Sequence, residues 1–203
     1  MQTLILATKN AGKVREIKDI TGGLCHVLTM TEAGIDIEID ETGTTFTENA
    51  RIKARAVWEA RKAEGYTDTV ISDDSGIEID FFDRQPGIYS SRWLGEDTPY
   101  TEKNQIILDK MLNVPEEKRT TRYVCAMVAV LPDGRELAVL ETCEGLIDHE
   151  PKGENGFGYD PIFFIPQTGL TFAEMSAEAK HEISHRGKAL RVLAQLLKEE
   201  GIL

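Results

Sequence analysis

Cysteine is scarce in this chain: Cys25, Cys125 and Cys143 are three in 203 residues, an odd number with no C-x-x-C spacing. With Cys125 set in an apolar strand-like run, all three read as reduced and structural. Long hydrophobic runs are missing too. Met1 to Ala7 is apolar for only a few residues and carries no basic leader, so neither a secretory signal nor a membrane span is expected there. The expected location is therefore cytoplasmic, with no membrane partner. Positive charge is the third deficit, with 23 Lys and Arg against 35 Asp and Glu and a formal net charge of -12. A nonspecific nucleic-acid surface needs a basic stripe and is not expected. An anionic small molecule is still admissible through a local basic pocket and a bound metal. Internal repeats and low-complexity tracts are absent, and 203 residues suffice to bury a proper core. One domain spanning residues 1–203 is expected.

What is present centres on Val70-Ile71-Ser72-Asp73-Asp74-Ser75-Gly76-Ile77-Glu78-Ile79-Asp80. Two adjacent carboxylates sit between strand-like apolar runs, and side chains alternate along a strand, so Asp73 and Asp74 should point opposite ways. One can face a pocket while the other is tied into the scaffold. Gly76 permits a tight turn or the close approach of a ligand to the backbone, and Ser75 adds a hydroxyl beside the acid. The stretch suits a hard cation and a water; the plainer alternative is an acidic surface turn.

Thr3 to Ala7 reads as a buried strand, followed by Thr8-Lys9-Asn10-Ala11-Gly12-Lys13 and a helix with apolar Val14, Ile17 and Ile20 that ends at Gly22-Gly23. A strand running into a helix start offers backbone N–H groups and the positive dipole end to a phosphate, with Lys9 and Lys13 adding charge. It is no Walker A loop, because Val14 follows Gly-Lys where Ser or Thr belongs. Asp36 to Glu41 alternates like a strand but lacks the spacing of an EF-hand. Thr45-x-x-Glu48 is a capping box for a helix reaching about Glu64, with Phe46, Ala50, Ala54 and Val57 inward. Asn49 and Lys53 lie one turn apart on another face, functional only if that face meets the acids.

Farther on, Gln85 to Trp93 reads as a turn, Thr101 to Leu112 as a helix, and Tyr123 to Leu131 with Glu136 to Ile147 as a hairpin. Gly153 to Asp160 is a glycine-rich loop around Phe157, Tyr159 and Asp160, leading into a strand over Pro161 to Ile165. Thr171-x-x-Glu174 should cap another helix, and Ser184-His185-Arg186-Gly187 introduces the last, with Ala189, Leu193, Leu196 and Leu197 inward. The interleaving predicts a mixed α/β sheet in which the hairpin interrupts a parallel arrangement. His181-Glu182-Ile183-Ser184-His185 matches the zinc-protease pattern H-E-x-x-H, which requires one helix through both histidines. Ser184 and Gly187 place a helix boundary inside it, so that chemistry is not expected.

Taken together, Ala7 to Lys13, Glu48-Asn49-Ala50, Asp73 to Gly76, Pro86 to Arg92, Gly156 to Phe163 and Ser184 to Gly187 resemble the inosine/xanthosine triphosphate pyrophosphatases, enzymes that clear non-canonical purine nucleotides. The order and spacing agree from the first strand to the last helix. The resemblance implies an elongated mixed α/β fold, a two-lobed single domain with the active site in the cleft between lobes, and a homodimer. It implies magnesium-dependent hydrolysis of ITP, dITP and XTP to the monophosphate and pyrophosphate. Carried over by position, Thr8, Lys9, Asn10, Ala11, Gly12, Lys13, Lys53 and Ser75 hold the triphosphate, and Asp74 is metal ligand and water-activating base. A second metal-binding acid three residues before Gly43 would be Asp40, with Glu41 beside it. Phe157, Gly158, Tyr159, Asp160, Lys180, His185 and Arg186 form the nucleoside side. Carboxylates are the ligands magnesium takes, lysines neutralise phosphoryl charge, and Phe157 or Tyr159 can stack on a purine. The alternatives are a non-catalytic nucleotide sensor and a pyrophosphatase for other modified nucleotides, such as the pyrimidines of the septum-inhibitor relatives.

Overall fold

The computed structural model describes residues 3–21 and 25–203. Chain order runs β1 (Thr3–Leu6), α1 (Ala11–Thr21), β2 (His26–Thr29), α2 (Phe46–Ala63), β3 (Thr69–Ile79), β4 (Gln85–Pro86) and α3 (Tyr100–Lys110). It continues with β5 (Thr120–Val130), β6 (Glu136–Ile147), β7 (Phe163–Ile165), β8 (Leu170–Thr171), α4 (Ala177–Ile183) and α5 (His185–Glu199). Strand order is β2-β1-β3-β5-β6-β7-β8, with β4 attached to β3. β1 pairs in parallel with β2 and β3, whereas β6 with β7 and β7 with β8 are antiparallel. The fold is thus α/β with an open mixed sheet, as the interleaved pattern predicts.

Two compact units share β3, β5 and β6. The first takes the described residues up to Asp74, Cys125–Glu141 and Arg186–Leu203; the second takes Ser75–Val124 and Thr142–His185. In the first, Leu4 and Leu6 of β1, Ile17 of α1, Ile71 of β3 and Met127 of β5 meet Ala189, Leu193 and Leu197 of α5. The i, i+4, i+8 spacing of those α5 residues places them on one stripe, and each fully buried aliphatic side chain contributes about 1.5–3 kcal/mol. Phe46, Ala50, Ala54 and Val57 of α2 are buried as their spacing predicts, and the Thr45–Glu48 capping box forms. Cys25, Cys125 and Cys143 are buried and form no disulfide among the described residues, and burial pushes the Cys125 thiol up to about 12.

Four expectations change. Asp36 to Glu41 is not a strand: its apolar residues are only half-buried and the segment joins no ladder. Gly76 makes no turn, because β3 runs unbroken through Asp73 to Ile79; it supplies close approach instead, since a Cβ there would stand 2.3 Å from the Gly87 carbonyl oxygen. The Thr171–Glu174 capping box closes only a 3-10 turn, after which Met175 is extended and Ser176 caps the short α4. Pro161 and Ile162 belong to a 3-10 turn, so the strand begins at Phe163. The expected end of α1 at Gly22-Gly23 lies outside the described residues. Among the described residues no helix is long and apolar enough to cross a membrane.

The second unit is pinned by a buried cation with no acidic partner within ion-pair distance among the described residues. Arg119 donates from Nε to the Ile147 carbonyl at 2.7 Å, from Nη1 to Met111 at 2.6 Å and from Nη2 to Asp148 at 2.6 Å. A guanidinium out of water is tolerated because its fork of donors is filled by carbonyls that would otherwise be orphaned. Arg119→Met should remove about 3 kcal/mol or more. For a chain of this size the melting temperature then falls by roughly 6–12 °C, and a drop under about 2 °C would mean the carbonyls find other donors.

Candidate active site

In the first unit, the turn after β1 is shaped by its own side chains. The Asn10 N–H donates to Thr8 Oγ1 at 3.2 Å, and Asn10 Oδ1 accepts from the Lys13 N–H at 3.1 Å, so Asn10 caps α1. By the geometry of a helix start, the Ala11 and Gly12 N–H groups have no intrahelical acceptor and carry the positive end of the dipole. Lys9 pairs at 3.6 Å with Asp36, an exposed pair of little energetic weight. Lys13 reaches Asp73 at 2.9 Å.

Asp73 and Asp74 take separate partners, as alternation along β3 demands. Asp73 is fully buried and is held by Lys13 and by Arg186 at 3.3 Å; Arg186 in turn grips Glu16. Asp74 accepts from Lys53 Nζ at 3.3 Å through Oδ1 and from Asn49 Nδ2 at 3.3 Å through Oδ2. The polar face of α2 therefore meets the acid. Burial pushes both carboxyls up, but at Asp73 the fields of Lys13, Arg186 and Lys53 win and hold it well below the usual carboxylate range. At Asp74 burial prevails over Lys53 and Lys13, helped by the like charges of Glu41 and Asp73, and the carboxyl lies above its ordinary value. Two neighbouring carboxyls pushed apart in this way take different roles: one is a permanent anion, the other a better base.

Asp40 is exposed and makes no side-chain hydrogen bond or ion pair among the described residues, whereas Glu41 reaches Lys53 at 3.0 Å. Asn49 explains the difference, because its Oδ1 accepts from the Gly43 N–H at 2.9 Å while Glu48 takes the Thr44 N–H at 2.7 Å. These bonds draw residues 43–44 onto α2, and Glu41 is the acid brought to Lys53. A Cβ at Gly43 would stand 2.7 Å from Asn49 Oδ1, which accounts for the glycine. Asp74 and Glu41, which both meet Lys53 Nζ, are hard-oxygen carboxylates of the kind a magnesium ion takes. Among the described residues no group of three or more His, Cys, Asp or Glu is arranged for a metal.

The second unit holds the other expected residues except Arg186. Asp160 is buried, accepting from the Phe157 N–H at 2.8 Å, from Tyr123 Oη at 3.2 Å and from Lys180 Nζ at 2.7 Å. Lys180 lies 5.2 Å from the Phe157 ring centroid and 5.4 Å from that of Phe172. His185 stacks on Tyr123 at 4.6 Å. Gly158 takes φ +71°, Tyr159 is buried, and Ser75, half-buried, follows Asp74 on β3. Arg186 falls in the first unit, where its guanidinium pairs with the buried carboxylates of Asp73 and Glu16. The helix boundary inside His181–His185 forms as read, with α4 ending at Ile183 and Ser184 extended.

Glu16, Tyr123 and Phe172 escaped the sequence reading. Glu16 could have been suspected from its place one turn after Lys13 and beside core Ile17; the two aromatics look like ordinary core. The chain matches the Ham1 family over residues 4–196. It is 42% identical to a dITP/XTP pyrophosphatase of Clostridium perfringens over 205 residues, covering 100% of both chains. Against the enzyme of the same name from Escherichia coli O157:H7 it is 42% identical over 98% of this chain and 99% of that one. The solved Staphylococcus aureus Ham1 protein superposes with a TM-score of 0.84 at 37% identity, over 98% of this chain and 100% of that one. A HAM1 protein from Coxiella burnetii also gives 0.84, at 35% identity, over 98% and 100%. With that match running through both units and every motif quoted above, the chain belongs to the Ham1 family.

Proposed function

We propose that this chain is a hydrolase of non-canonical purine nucleoside triphosphates, converting dITP, ITP and XTP to the monophosphate and pyrophosphate and so removing them from the nucleotide pool. The observation that carries the reading is Asp74, a buried carboxyl with a raised proton affinity, flanked by Lys53 and Asn49 beside the Lys13–Asp73 pair. The full-length likeness to dITP/XTP pyrophosphatases supports it. The substrate is a free nucleotide and not a nucleic acid, whose nonspecific binding the acidic net charge disfavours, and the protein works in the cytoplasm as a homodimer.

Thr8 to Lys13, with Lys53 and Ser75, take the triphosphate: the α1 start offers N–H donors, and the two lysines neutralise phosphoryl oxygens. Asp74 accepts the proton of the attacking water as the water's oxygen bonds to the α-phosphorus and pyrophosphate departs with the electrons of the broken anhydride bond. Asn49 and Lys53 hold the two carboxylate oxygens in place for that transfer. Asp74 and Glu41, the latter in place of Asp40, would hold a magnesium ion, which neutralises charge on the phosphates when bound. Phe157 to Asp160, with Lys180 and His185, form the purine side, Phe157 offering a ring face. Arg186 holds Asp73, and through it the lysine on α1.

Asp74→Asn keeps the shape but removes charge and basicity together. The expected outcome is a kcat lower by roughly a thousandfold or more with nucleotide affinity changed far less. Asp73→Asn strands Lys13 and Arg186, so its loss falls on stability, by about 3–5 kcal/mol in a thermal melt. Near-native turnover by Asp74→Asn would refute the assignment of the base.

With dITP, XTP and dATP offered in turn, pyrophosphate release should favour the first two over dATP by at least about a hundredfold in kcat/KM. The preference follows because a keto group at position 6 accepts where adenine donates. Chelating the divalent ion should abolish turnover and re-adding magnesium should restore it; equal hydrolysis of dATP, or turnover indifferent to chelator, counts against the reading.

A further inference from the structure

The buried stripe of α3 runs Lys103, Asn104, Ile107, Leu108 and then Met111 just past its end, so its polar start is as buried as its apolar continuation. Each polar head is spent on a main-chain carbonyl. Lys103 Nζ donates to Ser91 at 2.7 Å, and Asn104 Nδ2 donates to Gly158 at 3.2 Å. Tyr100, at the first turn of the same helix, meets Tyr159 edge-on at 5.2 Å, and Tyr159 Oη donates to the Ser90 carbonyl at 2.7 Å. Ser90 Oγ accepts from the Ile77 N–H at 2.9 Å and donates to Gly87 at 2.6 Å. A continuous brace therefore joins β3, the Gly87–Ser91 turn, α3 and the Gly156–Asp160 loop.

Within that brace Asn104 stands out, because its Oδ1 is buried and has no hydrogen-bond partner among the described residues. An unpartnered buried carbonyl costs about as much as, or more than, one neutral hydrogen bond returns. The side chain therefore adds nothing net to stability, and what it supplies is a fixed position for the Gly158 carbonyl. Phe157 lies between two anchors: its own N–H is held by Asp160, and the carbonyl of the next residue is held by Asn104. Gly158 needs such an anchor, since its left-handed backbone is open to many alternatives.

We propose that Asn104 is a positioning residue for purine selection, its amide locking Gly158 so that Phe157 presents a fixed ring to the base; this rests on the pyrophosphatase reading above. The test uses Asn104→Asp, which keeps the shape without the donor, and Asn104→Leu, which removes both polar atoms. In each, KM for dITP should rise about tenfold or more while kcat stays within about threefold, and the preference for dITP over dATP should shrink by a similar factor. Amide exchange over residues 157–160, measured without nucleotide, should quicken by about tenfold or more. A purely structural residue would lower the melting temperature and leave both the preference and the split between KM and kcat unmoved. Unchanged preference and unchanged exchange in folded variants overturn the proposal, as does unfolding of both variants, which would make Asn104 a stability element. If the wild-type protein shows no preference between dITP and dATP, it is the functional reading that fails, and loop exchange alone decides the brace.

Discussion

Asp73 is a carboxylate without solvent exposure, and the first unit is arranged around making that tolerable. An isolated buried anion would take up a proton rather than remain charged. Here Lys13 comes from the start of α1 and Arg186 from the start of α5, so the charge ties two helices to β3. Glu16 then balances the second positive charge of the group. Such a cluster is weak support for stability in itself, since desolvation offsets most of the attraction. Its consequence is geometric: the lysine at the helix start is held at one place instead of ranging over its rotamers.

Asp74, one residue on, illustrates how strand alternation separates two like groups. Its partners, Lys53 and Asn49, come from α2, and their attraction does not outweigh its burial. A carboxyl kept slightly too basic is costly for folding and useful for taking a proton from water. Asn49 links that acid to residues 43–44, so the loop carrying Glu41 is set by the same side chain that orients Asp74. Gly43 has room for nothing larger.

In the second unit the same logic is applied to aromatic and main-chain groups. Asp160 closes the Gly156–Asp160 loop on itself through the Phe157 N–H and anchors it to Tyr123 and Lys180. Phe163 and Phe172 pack around Tyr123, giving the carboxylate an apolar surround in which its hydrogen bonds are strong.

The sequence by itself determined the elements whose signals are local. The capping box at Thr45 and Glu48, the α5 stripe, the β5–β6 pair and the helix break within His181–His185 follow from periodicity and end chemistry within a few residues. It also determined which short motifs carry the carboxylates, lysines and aromatics, because each motif is contiguous. Tertiary structure decided what depends on groups far apart in the chain. Whether Asp40 or Glu41 meets Lys53 depends on where Asn49 pulls the loop, and no spacing rule contains that. Gly76 reads as a turn or as room for a ligand, and it is the packed 87–91 segment that occupies the space a side chain there would need. Arg186 follows His185 in sequence yet joins Glu16 and Asp73, because those two carboxylates, 170 and 113 positions away, compensate its charge out of water.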